Sequence, residues 1–162
     1  MDAHRTFHEL VGELDYSMFI VTVRDGDQRA GCLVGFATQS SIDPARFLVC
    51  LSRKNHTYRV AQHADLLAVH FVPRDAGALA ELFGGHSGEE SDKFAHCEWY
   101  PGPDNVPILR ECGNWFAGRV LERLDLGDHV GFLLDPVQAR REREESRFEF
   151  QRAKRIEPGQ PA

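Results

Sequence analysis

Cysteine is scarce in this sequence and unpatterned where it occurs. The four cysteines, Cys32, Cys50, Cys97 and Cys112, include no CxxC pair, and two of them lie inside apolar runs. A thiol in such a run commonly serves as a small buried hydrophobe, so neither a zinc site nor any other metal centre is expected. Long hydrophobic stretches are missing too: no run approaches the roughly 20 residues that cross a bilayer as a helix. The opening stretch MDAHRTFHELVGELDYSMF carries acidic residues through its apolar positions and lacks the charged-then-apolar order of a secretory signal. The expected address is the cytoplasm, where free thiols persist, with no membrane partner. An excess of positive charge is absent as well. With a net charge of −6, a nucleic-acid surface would need local clustering against the overall sign. The one basic cluster, in residues 139–147, mixes Arg with Glu and reads as a solvated helix or linker with local ion pairs, so no nucleic-acid partner is expected. There is no internal repeat and no GxGxxG fingerprint of a dinucleotide-binding βαβ fold.

What is present is a chain of 162 residues, enough for one domain with a core that needs no disulfide or metal. Apolar positions at Phe7, Leu10, Val11 and Leu14 predict a short opening helix that lays one face on the body. Residues 18–23 read as a strand, 24–27 as a hairpin turn and 31–36 as the next strand. Residues 47–51 read as a buried returning strand, 57–62 as the start of a helix and 66–72 as another strand. Residues 76–83 have helical spacing, and Gly84-Gly85 ends that helix. A long irregular segment, 86–109, holds Asp92-Lys93-Phe94, Trp99 and Pro101-Gly102-Pro103; loops of such length are often functional. Residues 115–124 and 130–137 supply two last strands around a turn. Short strands separated by turns, with two or three peripheral helices, predict a mainly β fold, a small barrel in preference to a parallel sheet. Residues 1–138 form the expected body. Residues 139–162 form a charged tail whose Phe148, Phe150 and Ile156 return to pack on it.

The segment from 31 to 58, GCLVGFATQSSIDPARFLVCLSRKNHTY, carries the chemistry. Two apolar runs bracket Thr38, Gln39, Ser40 and Ser41, and Ser52, Asn55 and Thr57 follow the second run at once. Hydroxyls and amides with Lys54, and Arg53 or Arg59, beside them suit a phosphate or the polar edge of a heterocycle. Local turn satisfaction is the plain alternative for such residues.

Four separated pieces stand in one order: the shelf of residues 31–44, the turn of residues 52–57, Asp92-Lys93-Phe94, and Gly127-Asp128-His129 followed by a strand. In that order and spacing the chain resembles the flavin reductase-like family, the FMN-binding split barrels that include reductase components of two-component flavin monooxygenases, over about residues 10–137. The resemblance implies an antiparallel split β-barrel with peripheral helices, a homodimer, and a flavin held near the subunit interface. It implies NAD(P)H:flavin oxidoreductase activity, with FMN (or FAD) as flavin and NADH or NADPH as co-substrate, and a monooxygenase partner that receives reduced flavin. Carried over by position, Gly35, Phe36, Thr38 and Gln39 would lie along the isoalloxazine edge with Ser40 and Ser41 at its far end. Ser52, Asn55 and Thr57 would bind phosphate or ribityl oxygens, and Lys54 would add charge there. Phe94 would cover the ring, Lys93 would reach a polar edge, and His129 would point toward the nicotinamide and flavin as the catalytic residue.

The chain departs from the commonest family pattern where Leu33, Val34, Gly35 and Phe36 replace a hydroxyl- and amide-bearing series. That departure leaves two further readings open: a split-barrel redox protein that retains FMN or uses a deazaflavin, and a non-catalytic binding domain with a decayed site. Outside the family context Phe36 and Phe94 read as core aromatics, His129 as a solvated turn residue, Lys93 as an ion-pair partner of Asp92 or Glu90, and Trp99 and Trp115 as packing.

Overall fold

The computed structural model describes residues 2–85 and 92–157. The described elements run α1 (Ala3–Gly12), β1 (Phe19–Asp25), β2 (Gln28–Val34), β3 (Ala37–Ser41), β4 (Arg46–Ser52), α2 (His56–Ala61), β5 (Leu66–Phe71), α3 (Gly77–Gly85), β6 (Trp99–Pro101), β7 (Pro107–Leu109), β8 (Trp115–Asp125), β9 (His129–Arg140) and α4 (Phe150–Ala153), with short 3₁₀ turns at Lys93–His96 and Pro103–Asn105. Seven strands form one sheet in the order β2-β1-β5-β8-β9-β4-β3, every neighbouring pair antiparallel. The two edge strands are consecutive in the chain: Val34 ends β2 and Ala37 begins β3. Three peptide steps span at most about 10 Å, so the edges must lie side by side and the sheet must curl round on itself. β2 and β3 share no ladder, which leaves a seam at Gly35-Phe36. This is the expected split barrel.

Alternating side chains of β1, β2, β4, β5 and β9, including Val21, Cys32, Val49, Leu51, Val69 and Phe132, fill the barrel, and Val60 and Ala61 of α2 plug one end. A second cluster lies outside, where α3 and the tail cover the sheet with Leu79, Phe83, Phe94, Leu109 and Phe148. Glycine is required at one wall position, because a Cβ on Gly31 would stand 2.7 Å from the Phe83 ring. The β6–β7 hairpin, inside the segment that reads as irregular, is pinned to the sheet by buried polar groups. The Thr22 hydroxyl donates to the Pro107 carbonyl at 2.6 Å. His70 bridges the Ile20 carbonyl through Nδ1 at 2.9 Å and the Leu109 N–H through Nε2 at 3.0 Å. Only N–H can meet a carbonyl and only a lone pair can meet an N–H, so the imidazole is neutral with its proton on Nδ1. Burial holds the His70 pKa down to about 4.

Residues 86–91 of the long segment lie outside the described residues. The opening helix forms, but none of its residues is buried: Phe7 and Leu10, and Leu14 just beyond it, are each more than half exposed. It is held at its C-terminal end, where the Gly12 carbonyl accepts from Gln151 Nε2 and Lys154 Nζ. β9 runs to Arg140, across the 138/139 boundary drawn from composition. In the tail, Phe148 is buried and Phe150 and Ile156 pack against the same cluster. Buried Asn114 seats it, donating to the Arg143 carbonyl and accepting from the Glu142 N–H, both at 2.7 Å.

Candidate functional site

The seam brings the shelf residues together. β3 is an edge strand, so one side of its backbone has no ladder partner, and Thr38, Gln39 and Ser40 are exposed along it while Ser41 is half-buried. Part of that set is spent locally: Thr38 Oγ1 donates to the Gln39 carbonyl at 3.2 Å and Gln39 Nε2 to the Ser41 carbonyl at 3.1 Å. Phe36 stands at the head of the seam, exposed, its carbonyl accepting from Cys50 N–H at 2.8 Å and its ring 5.0 Å from the imidazole of His129. Gly35 sits behind it against Tyr16 and Met18.

β4 ends at Ser52, directly opposite His129 in the ladder to β9. The Ser52 hydroxyl accepts from the Lys54 N–H at 3.3 Å, and Asn55 caps α2 by accepting from the Thr57 N–H at 2.8 Å. The Lys54 side chain is exposed and makes no hydrogen bond or ion pair among the described residues. Across from this turn, the β8–β9 turn carries His129. Its Nδ1 donates to the Asp128 carboxylate at 2.8 Å, which pulls the Asp128 pKa below the ordinary carboxylate range. The ring is thereby oriented, and Nε2 has no hydrogen-bond partner among the described residues. Phe36, Ser52, Lys54, Asn55 and His129 thus converge at one end of the shelf, with Thr38 to Ser41 leading away from it.

Three of the carried-over residues lie elsewhere. Phe94 is buried, edge-on to Phe83 and Trp99 at 5.6 and 5.8 Å, so it packs beneath the barrel wall and does not cover a surface ring. Lys93 is buried beside it, its ammonium donating to the Gly31 and Phe83 carbonyls at 3.0 Å each, and burial lowers its pKa. Asp92 caps that 3₁₀ turn and accepts from the Phe94 N–H at 3.0 Å, a local bond that turns both side chains inward. Thr57 is fully buried, and its hydroxyl and Asn55 face the Cys32 thiol, whose pKa burial raises in spite of them. These groups fall in the segments that the family order marks, and the 3₁₀ turn and the first turn of α2 aim them at the core.

Of the four positions that lack side-chain donors relative to the family pattern, Gly35 and Phe36 lie at the seam and Leu33 and Val34 are wall positions. Leu33 packs on α3 and Val34 is buried in the barrel, and the hydroxyl-bearing series falls two residues later on β3. Sequence reasoning offered Arg53 only as an alternative charge. Its guanidinium instead donates to the Gly127 carbonyl at 3.0 Å and to the Asp125 carboxylate at 2.7 Å. No local signal separates these two uses of an arginine.

The donor set fits a flavin phosphate. It offers two rows of hydroxyl, amide and backbone donors, an unspent lysine, an exposed aromatic face and an oriented imidazole, with an unpaired strand edge to meet a planar polar heterocycle. Among the described residues no cluster of metal ligands occurs.

Comparison with known proteins agrees with this geometry. Residues 11–155 match the family described as flavin reductase like domain. A probable flavin reductase of Rhizobium meliloti (strain 1021) is 27% identical over 130 residues, 78% of this chain and 40% of that protein. The FMN reductase (NADH) RutF of Bradyrhizobium diazoefficiens is 24% identical over 127 residues, 78% of this chain and 70% of that one. The chain therefore spans less than half of one relative and most of the other. Among solved structures, the NADH:FAD oxidoreductase SgcE6 of Streptomyces globisporus C-1027 superposes with a TM-score of 0.83 at 20% identity, covering 93% of this chain and 90% of that one. A flavin reductase domain protein from Arthrobacter sp. FB24 does so with a TM-score of 0.82 at 21% identity, covering 98% and 96%. At these identities the two structures speak for the fold.

Proposed function

The chain belongs to the flavin reductase-like family, and from that premise we propose that it is an NAD(P)H:flavin oxidoreductase acting on FMN or FAD. The observation that carries the reading is the convergence of Phe36, Ser52, Lys54, Asn55 and His129 at the open seam of the barrel, beside the polar edge strand β3. A bound flavin supplies hydride chemistry, taking two electrons and a proton as hydride from a nicotinamide that leaves oxidised. The protein binds and orients. Lys54, Ser52 and Asn55 hold the phosphate arm, Thr38, Gln39, Ser40 and Ser41 meet the polar edge of the ring, and the Phe36 face excludes water from one side. His129 offers Nε2 to the place where the nicotinamide meets the flavin, as a hydrogen-bonding group that stabilises negative charge on the reduced ring. Lys93, Phe94 and Thr57 support the shelf from within.

The protein acts as a homodimer in this reading. Phe7 and Leu10 on α1 and Leu14 just after it, with Phe36, Ile42, Leu126 and Val137 on the body, are large apolar side chains left exposed and available to a second copy, Ile42 being 83% exposed. The four free thiols accord with a cytoplasmic protein that hands reduced flavin to a monooxygenase. Anaerobic titration tests the central claim: with FMN or FAD present, NADH or NADPH should bleach the flavin band catalytically. A protein that neither perturbs the flavin spectrum nor accelerates nicotinamide oxidation refutes it, and elution at monomer mass by light scattering refutes the dimer.

A further inference from the structure

Arg53 sits between Ser52 and Lys54, in the turn read as the phosphate turn, yet its side chain is directed to the β8–β9 turn. Its Nε donates to the Gly127 carbonyl at 3.0 Å and its Nη2 to Asp125 Oδ1 at 2.7 Å, while its backbone N–H donates to the Asp128 carbonyl at 2.9 Å. A further contact, Nη1 to the Tyr58 hydroxyl, lies at 3.5 Å and reaches α2. The Asp125 carboxylate also accepts from the Gly127 N–H at 3.3 Å. One residue therefore grips three consecutive features of the β8–β9 turn: the last residue of β8, the glycine at its tip and the residue before His129.

The two ladders hold the ends of that turn, with Ser52 opposite His129 and Asp125 opposite Val130. Between them Gly127 has φ +126°, a conformation that glycine adopts readily. Outside the ladders the turn closes through the Leu126 N–H to His129 carbonyl bond at 3.1 Å, and Arg53 adds the side-chain hold on its tip. The guanidinium is planar and presents Nε–H and Nη2–H in a fixed fork, so two acceptors held at once fix the orientation of the turn as well as its distance. A surface ion pair adds little stability by itself, and Arg53 is 42% exposed with Asp125 at 77%. The arrangement is geometric in its consequence.

We infer that Arg53 is a positioning residue, a strap that locks the His129-bearing turn to the phosphate turn so that a ligand's phosphate arm and the imidazole are held in one fixed relation. The inference rests on the reading of His129 and the phosphate turn as two parts of one flavin site. It also deepens that reading, since it removes Arg53 from the phosphate's cations and leaves that charge to Lys54 and Arg59.

The test compares wild type with Arg53→Ala, Arg53→Lys, Asp125→Ala and the Arg53→Ala/Asp125→Ala double variant. The measurements are kcat with NADH or NADPH, the dissociation constants of FMN and of riboflavin, and the ring carbon–proton NMR signal of His129 in the ligand-free protein. Arg53→Ala and Asp125→Ala should each lower kcat about tenfold, in keeping with a catalytic group displaced by a fraction of an ångström. The double variant should fall no further. Arg53→Lys, which keeps the charge without the fork, should resemble the alanine variant and serves if that variant does not fold. The FMN-to-riboflavin affinity ratio should stay at its wild-type value, and the His129 signal should shift or split in every variant. A ratio that collapses in Arg53→Ala and not in Asp125→Ala makes Arg53 a phosphate ligand and overturns the inference. An unmoved His129 signal overturns it too. If wild type shows no flavin binding or turnover, the functional reading fails, and the His129 signal still decides the strap.

Discussion

Acidification should expose the cost of keeping His70 neutral. The imidazole is fully buried between β1 and the β6–β7 hairpin, and its pKa is held down to about 4 against an ordinary 6.5. Protonation would place a second N–H on Nε2, 3.0 Å from the Leu109 N–H, and so set donor against donor while it buries a charge. The folded pKa lies below the unfolded one, so between the two values the unfolded chain binds the extra proton. Stability is therefore full above about pH 6.5 and is lost as pH falls toward 4. Linkage gives a loss of about 2 kcal/mol by pH 5 and about 3 kcal/mol by pH 4 from this one group. Asp125 and Asp128, whose pKa values are also lowered, add little because both are exposed to screening solvent. Urea denaturation at pH 7, 5 and 4 measures the total, and the same series on His70→Gln isolates the histidine. The variant should be less stable at neutral pH and should lose about 2 kcal/mol less than wild type between pH 7 and 5. Parallel stability curves for the two proteins would refute the argument, whatever their absolute stabilities.

Lys93→Met should strand the Gly31 and Phe83 carbonyls and destabilise the fold by about 2 kcal/mol in a urea midpoint, while FMN affinity stays at the wild-type value; a selective loss of affinity would return Lys93 to the ligand. Asn114→Ala should cost a similar amount, about 2 kcal/mol, and should make residues 141–147 the first site of limited proteolysis, because both amide atoms of Asn114 seat that stretch at 2.7 Å. His129→Ala should lower kcat by about 100-fold and leave thermal stability near wild type, since among the described residues the half-buried ring bonds only to an exposed carboxylate; an unchanged kcat removes it from the chemistry.

The wall of the barrel was legible residue by residue. Runs such as FIVTV and LLAVHF are rich in β-branched and aromatic residues, and their burial follows from hydrophobicity that no neighbour needs to supply. β3 was not legible as a strand, because ATQSS has no apolar alternation. An edge strand whose side chains face solvent leaves no such mark, and it is the ladder with β4 that makes it a strand. The β6–β7 hairpin escaped for the same reason: two three-residue strands carry no period, and buried contacts from Thr22 and His70 hold them.

At the candidate site, residue type and order, with the family resemblance, selected the segments that the proposed function draws on. They could not say which way a side chain points. Lys93 and Phe94 sit in a matching segment and face the core, Arg53 sits between Ser52 and Lys54 and faces the β8–β9 turn, and α1 buries none of its apolar residues among the described residues. The chain alone determined the alternating strands, the turns between them and the inventory of donors, because backbone preference and side-chain polarity act within a few residues. Pairing β4 between β3 and β9 decided the rest. That ladder sets Ser52 opposite His129 and brings Phe36, bonded to β4 through Cys50, against the same ring, and contacts between residues so far apart in the chain belong to the folded sheet and to no local stretch.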